Sequence, residues 1–149
     1  NKGFPNLTDT DWLYGGTPEA IVTSITSGRS GSMPPMGAAM QSEALDAVIS
    51  LLGQWSDTTL DPAVRERGSQ QFMMMCAACH GAEGKGNPML GAPNLTDRIW
   101  LHGGSRERLR ETLMKGRNSQ MPAHEQILSK DEIRLVSAYV YGLSSSNAQ

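Results

Sequence analysis

Apolar positions along this chain recur mainly at helical spacing. Ile133, Val136, Tyr139 and Val140 fall on one helical face, and Leu45, Val48 and Leu52 repeat the pattern earlier. Punctuation residues bracket each periodic run. Asp61 can accept the first free N–H groups of a helix and Pro62 suits its first turn, so a helix is predicted through Val64–Met75 and into Cys76. Ser105 opens the next helix, which Gly116 closes with Lys115 in its last turn. Ser129 and Glu132 have the spacing of a capping box for a terminal helix ending near Gly142. Thr17-Pro18 starts a helix stopped by Gly28, and another runs from Gln41/Ser42 to Trp55. No stretch alternates persuasively enough to predict a strand, so the expected fold class is all-α. The polar tail Ser144–Gln149 is expected to fray.

The pattern also repeats. Pro5-Asn6-Leu7-Thr8-Asp9 returns as Pro93-Asn94-Leu95-Thr96-Asp97 at an offset of 88. With no gap, Trp12-Leu13 then matches Trp100-Leu101, Gly15-Gly16 matches Gly103-Gly104, Gly28-Arg29 matches Gly116-Arg117, and Met33-Pro34 matches Met121-Pro122. Leu45, Val48 and Leu52 fall on Ile133, Val136 and Val140. A fixed offset over this length is the mark of a duplicated module. The expected organisation is the C-terminal part of a first module over residues 1–57 and a complete second module over 58–149, with the boundary at Asp57–Asp61. On this reading the first module is truncated at its N-terminus.

Composition sharpens the picture. Among 149 residues there are 16 glycines, 8 prolines and only eight aromatic side chains, so the chain is loop-rich and thin in large apolar groups. A cofactor filling part of the interior would relieve that shortage. The formal net charge of −2 offers no basic stripe for nucleic acid. The apolar run Ala44–Leu52 is broken by Asp46 and Ser50, and no stretch approaches the roughly 20 residues that cross a bilayer.

The chemistry lies in Cys76-Ala77-Ala78-Cys79-His80, a C-x-x-C-H pentapeptide. Two thiols three apart on a helical turn can each add to one vinyl group of a haem, and the adjacent histidine then lies under the iron. A local disulfide or redox pair would call for a βαβ context, and a zinc site for more ligands at suitable spacing. Neither is visible in the sequence. Applied to Cys76, the offset places the first module's equivalent motif upstream of Asn1. For the sixth ligand the candidates are Met121, His124 and His102. Met121-Pro122 follows Gly116-Arg117 and has its equivalent in Met33, whereas His102 aligns with Tyr14 and His124 with Met36. Met121 is therefore expected, though a methionine that merely fills a core gap has the same sequence appearance. Met73, Met74 and Met75 read as packing or cofactor-edge residues. Thioether ligation favours ferrous iron and closes the site to oxygen or peroxide, leaving a haem that passes single electrons.

Three further residues are candidates. The carbonyl of Pro93 is offered to the imidazole N–H of His80, against the plainer reading of a turn proline. Arg117, with its equivalent Arg29, is offered to a haem propionate or to solvent. Trp100, with Trp12, either borders the haem or packs the core.

Cys76–His80, Gly91-Ala92-Pro93-Asn94-Leu95 and Met121-Pro122 together resemble the haem-binding pattern of class I cytochrome c domains over Arg67–Ser144. The doubled Pro-Asn-Leu-Thr-Asp…Trp-Leu…Gly-Gly pattern, with Phe72–Asn87, resembles the dihaem subunit (subunit III) of cbb3-type cytochrome c oxidases. The resemblance implies tandem cytochrome c modules and thioether bonds to haem c through Cys76 and Cys79. His80 would be the proximal ligand and Met121 the distal one. Met33 would bind the iron of a first haem c if an upstream segment carries it. It further implies a subunit without its own catalytic site. That subunit would lie on the periplasmic side of the bacterial inner membrane and be held there by an anchor not seen in this chain. It would receive electrons from a soluble donor cytochrome and pass them towards a monohaem subunit and the haem–copper catalytic subunit. A soluble dihaem carrier is the alternative within the same chemistry. A dihaem peroxidase or a gas sensor would need an open haem, which filled methionine positions disfavour.

Overall fold

The computed structural model describes residues 4–56 and 58–145. Its elements in chain order are helix α1 (Pro18–Ser27), strand β1 (Arg29–Met33), a short 3-10 helix (Met36–Ala39), helices α2 (Ser42–Gly53), α3 (Pro62–Met75), α4 (Ala77–His80) and α5 (Arg106–Lys115), strand β2 (Arg117–Met121) and helix α6 (Lys130–Ser145). The caps named from sequence form. Thr17 Oγ1 accepts from the Ala20 N–H, Asp61 accepts from the N–H groups of Ala63 and Val64, and Ser105 accepts from the Arg108 N–H. Ser129 and Glu132 close a reciprocal box, with Glu132 Oε2 2.8 Å from the Ser129 N–H. Helix α2 stops two residues short of Trp55, and α6 runs past Gly142 to Ser145. Residues 146–149 of the expected frayed tail, and Asp57 at the expected boundary, lie outside the described residues.

The expectation of an all-α chain needs correcting. β1 and β2 form an antiparallel ribbon in which Arg29 faces Met121, Gly31 faces Ser119 and Met33 faces Arg117. Each strand thus pairs with its own copy in the repeat, and a local two-fold axis passes between Gly31 and Ser119. Gly28 and Gly116, at φ +70° and +68°, turn the chain from α1 and α5 into the ribbon. A Cβ on Gly28 would strike the Met121 carbonyl, and one on Gly116 the Met33 carbonyl, so each helix end abuts the opposite strand's end.

The ribbon carries the chain across the two-fold axis, and the packing follows. Helix α2, from the first repeat, packs on α3 and α5 of the second, and α6 returns to pack on α1. The larger core joins Leu45, Val48, Ile49, Leu51 and Leu52 of α2 to Phe72, Cys76, Leu95, Leu109 and Leu113. The smaller joins Ile21 and Ile25 of α1 to Ile133 of α6, flanked by Trp12, Leu128, Val136 and Val140. Those seven residues are the repeat equivalents of Leu109, Leu113, Leu45, Trp100, Met40, Val48 and Leu52, all of which belong to the larger core or pack against it. Each core therefore combines both repeats. Asp46 of α2 adds a polar tie by accepting from Arg106 at 2.8 Å and from Arg110 of α5.

One difference separates the halves. Gly68 lets α3 lie directly on α2, where a Cβ would meet the Ala47 carbonyl oxygen at 2.7 Å and Leu51 Cβ at 3.1 Å. Ala47 and Leu51 are 3% and 4% exposed. Their equivalents on α6, Leu135 and Tyr139, are 73% and 68% exposed.

Candidate functional site

Helix α3 delivers Cys76 at its C-terminal end. The Cys76 N–H donates to the Phe72 carbonyl at 2.8 Å, and its own carbonyl accepts from the N–H groups of Cys79 and His80 at 3.1 and 3.0 Å. One turn thus presents a buried thiol, an exposed thiol and a buried imidazole in sequence. The two thiols are free. Burial pushes the Cys76 thiol up to about 11, with the neighbouring Cys79 adding to the effect. Cys76 is therefore held as a neutral thiol at neutral pH.

The loop after α4 folds back to orient His80. The Gly86 N–H donates to the His80 carbonyl at 2.9 Å, the Leu95 N–H to the Gly84 carbonyl at 2.7 Å, and Asn87 and Ala92 bridge each other. This brings the Pro93 carbonyl 3.0 Å from His80 Nδ1. Burial lowers the His80 pKa, and the Pro93 bond opposes that shift. A neutral ring donating through Nδ1 keeps its Nε2 lone pair free, the state a metal-binding imidazole needs. The donor set suits haem c: two unpaired thiols at vinyl spacing and a histidine fixed in one tautomer.

The methionines separate. Met33 is half-buried and packs against the core that contains Cys76. Met121 is 38% exposed and faces Arg29 at the α1 end of the ribbon. Met33 and Met121 end opposite strands, offset by roughly 14 Å along the ribbon at about 3.4 Å per residue over four residues. Met73 and Met74 are exposed on α3, and Met75 packs on the core.

Other sequence candidates have clear positions. Arg117, facing Met33 across the ribbon, donates to Thr112 Oγ1 from Nε at 3.0 Å and Nη2 at 2.6 Å, with Glu111 4.0 Å away. Trp100 packs on the larger core and its ring lies flush against Gly104. Burial and the Arg117 charge lower the His102 pKa, while Glu111 opposes them. The His124 N–H caps α1 through the Ile25 carbonyl at 3.0 Å, and its buried Nδ1 has no hydrogen-bond partner. Sequence reasoning gave no role to Tyr14. Its ring closes against Gly91 and lies 4.7 Å beneath the Arg29 guanidinium.

The family model for cytochrome c oxidase, cbb3-type, subunit III matches residues 63–140, from the start of α3 through most of α6. The chain belongs to this family. It is 43% identical over 148 residues to the cbb3-type cytochrome c oxidase subunit CcoP of Rubrivivax gelatinosus, covering 99% of this chain and 48% of the relative. It is 41% identical to CcoP of Cereibacter sphaeroides, covering 96% and 53%. It is 40% identical to subunit FixP of Bradyrhizobium diazoefficiens, covering 95% and 53%. The chain spans about half the length of the curated relatives it matches. Cytochrome c, electron transport and haem binding fit the names of the family and of these relatives, and haem c is the cofactor the family implies. Among the described residues no helix is long and apolar enough to cross a membrane.

Proposed function

We propose that this chain relays electrons through a haem c bonded to Cys76 and Cys79, with His80 as one axial ligand and Met33 as the other. The observation that carries the reading is the single turn Cys76–His80, with free thiols and a histidine whose Nδ1 is already committed to Pro93. The bound haem supplies a one-electron couple. Cys76 and Cys79 would hold it by two covalent bonds, and the Pro93 carbonyl would fix the plane of the His80 imidazole beneath it. Met33 replaces Met121 as the favoured sixth ligand because the ribbon takes Met33, with α2, to the side of the molecule that holds Cys76. Arg117, which faces Met33 across the ribbon, is offered to one haem carboxylate, and Trp100 serves the core beneath.

On the same reading Met121 belongs to a second haem c, carried by a segment equivalent to α3 and α4. The exposed Leu135 and Tyr139 mark where such a helix would lie, since Ala47 and Leu51 meet α3 at the same positions. The sequence modules are then the C-terminal part of a first class I cytochrome c module over 1–57 and a complete second over 58–149, each lending its last helix to the other. Within the oxidase we place the chain on the periplasmic side, between a soluble donor cytochrome and the monohaem and haem–copper subunits, with no catalytic site of its own.

The test is spectroscopic. Haem should stay on the polypeptide after acid extraction. In the ferric protein Met33→Ala should abolish the thioether-to-iron charge-transfer band of the haem on Cys76 and Cys79, while Met121→Ala leaves it intact. Loss of the band in Met121→Ala and its survival in Met33→Ala would restore Met121. Binding of CO to the reduced parent protein would instead favour an open-haem enzyme or sensor.

A further inference from the structure

Tyr14 is the residue of the first repeat that intrudes furthest on the loop orienting His80. A Cβ on Gly91 would collide with its ring, and one on Gly31, at the centre of the ribbon, would lie 3.0 Å from its hydroxyl oxygen. Arg29 covers the ring from the other side. Arg29 is itself tethered, with Nε donating to Ser24 Oγ at 2.9 Å and Nη2 to the Ala20 carbonyl at 3.4 Å. The phenol is thus clamped between two glycines and a cation.

Its hydroxyl is buried and has no hydrogen-bond partner. A buried O–H is costly without an acceptor, and most buried side-chain polar atoms in folded proteins are paired. Phenylalanine would fill the same space at no such cost. An acceptor supplied by a bound group would satisfy it. Three features fix its chemistry. The hydroxyl sits against Gly91, two residues before the Pro93 carbonyl that holds His80. A guanidinium beside the ring favours a negative charge nearby. And haem c carries two carboxylates that need donors when they are buried.

We propose that Tyr14 donates a hydrogen bond to a carboxylate of the haem attached to Cys76 and Cys79. The inference rests on the haem reading above and adds a contact to it. It also means that the first repeat supplies a polar contact to this haem besides the sulfur of Met33. Tyr14 acts on the cofactor's carboxylate, and through its charge on the iron: a carboxylate with a donor is better neutralised and stabilises ferric iron less.

Tyr14→Phe tests this in the haem-loaded chain, because it removes one oxygen and keeps the ring against Gly31, Gly91 and Arg29. Covalent haem content is measured first on parent and variant. The readout is the carboxylate stretching band in the reduced-minus-oxidised infrared difference spectrum, with the midpoint potential alongside. The expected result is a shifted carboxylate band and a lower potential in Tyr14→Phe. An unchanged carboxylate band in a fully loaded variant overturns the assignment, whatever the potential does. Should the variant load poorly, the parent decides: isotopic labelling of the tyrosine ring shifts the phenolic bands, and a Tyr14 phenol with no carboxylate acceptor overturns the assignment equally. A parent carrying no covalent haem defeats the haem reading itself.

Discussion

Leu51 and Tyr139 occupy equivalent places in the two repeats, yet α3 covers the first and nothing described covers the second. Leu51→Ala and Tyr139→Ala should therefore differ sharply in this 149-residue chain. Leu51 is 4% exposed, so truncation removes three carbons from a packed site. At about 0.8 kcal/mol per buried methylene the transfer loss is roughly 2.4 kcal/mol. The cavity left between α2 and α3 brings the total to about 3 kcal/mol, within the ~2–5 kcal/mol found for such changes. Tyr139 is 68% exposed, and its removal should cost within about 0.5 kcal/mol. Urea unfolding of the haem-loaded protein, followed by circular dichroism, reads the difference. With a slope of about 1.5–2 kcal/mol per molar, Leu51→Ala should lower the midpoint by roughly 1.5–2 M and Tyr139→Ala by under about 0.3 M. Equal shifts, or a larger one for Tyr139→Ala, would refute the packing of α3 on α2 and the exchange of helices with it.

Two further outcomes follow from single hydrogen bonds. The Ser129 N–H and hydroxyl hold the Glu132 carboxyl below its usual range, so its folded value lies under its unfolded one. That stabilisation is complete above the ordinary carboxylate value and fades as pH falls through the depressed one, so Glu132→Gln should flatten the acid limb of α6 unfolding; an identical acid limb would contradict the cap. Pro93→Ala keeps the carbonyl that accepts from His80, so the midpoint potential should hold while stability falls by about 0.4–1 kcal/mol through the freer unfolded chain. A clear drop in potential would mean that the proline ring, and not its carbonyl, orients the imidazole.

The sequence was most legible where the physics is local. Thr17, Asp61, Ser105 and Ser129 cap helices because each has its acceptor beside free N–H groups, and nothing distant is needed. The Cys76–His80 turn and the Pro93 contact were readable for the same reason. The ribbon was not. Arg29–Met33 and Arg117–Met121 show no apolar alternation, and each is specified as a strand only by the other. The exchange of helices was equally hidden. A periodic apolar face announces that a helix packs, but Leu45, Val48 and Leu52 match either set of partners, since the duplication made two cores of the same pattern. The repeat likewise gives Met33 and Met121 the same role without saying which side of the molecule each serves. Tyr14 left one trace, as the aromatic that stands where the other repeat has His102.

The ribbon between Gly28 and Gly116 also changes what it means to cut or alter this molecule. A nick in the connection between α2 and α3 would not free two domains; the fragments would remain clasped, each with an arm inside the other's core. The two copies have likewise lost the independence that duplication usually grants. A substitution on α2 is judged against helices encoded in the other copy, so the pair must be inherited and tuned as one object.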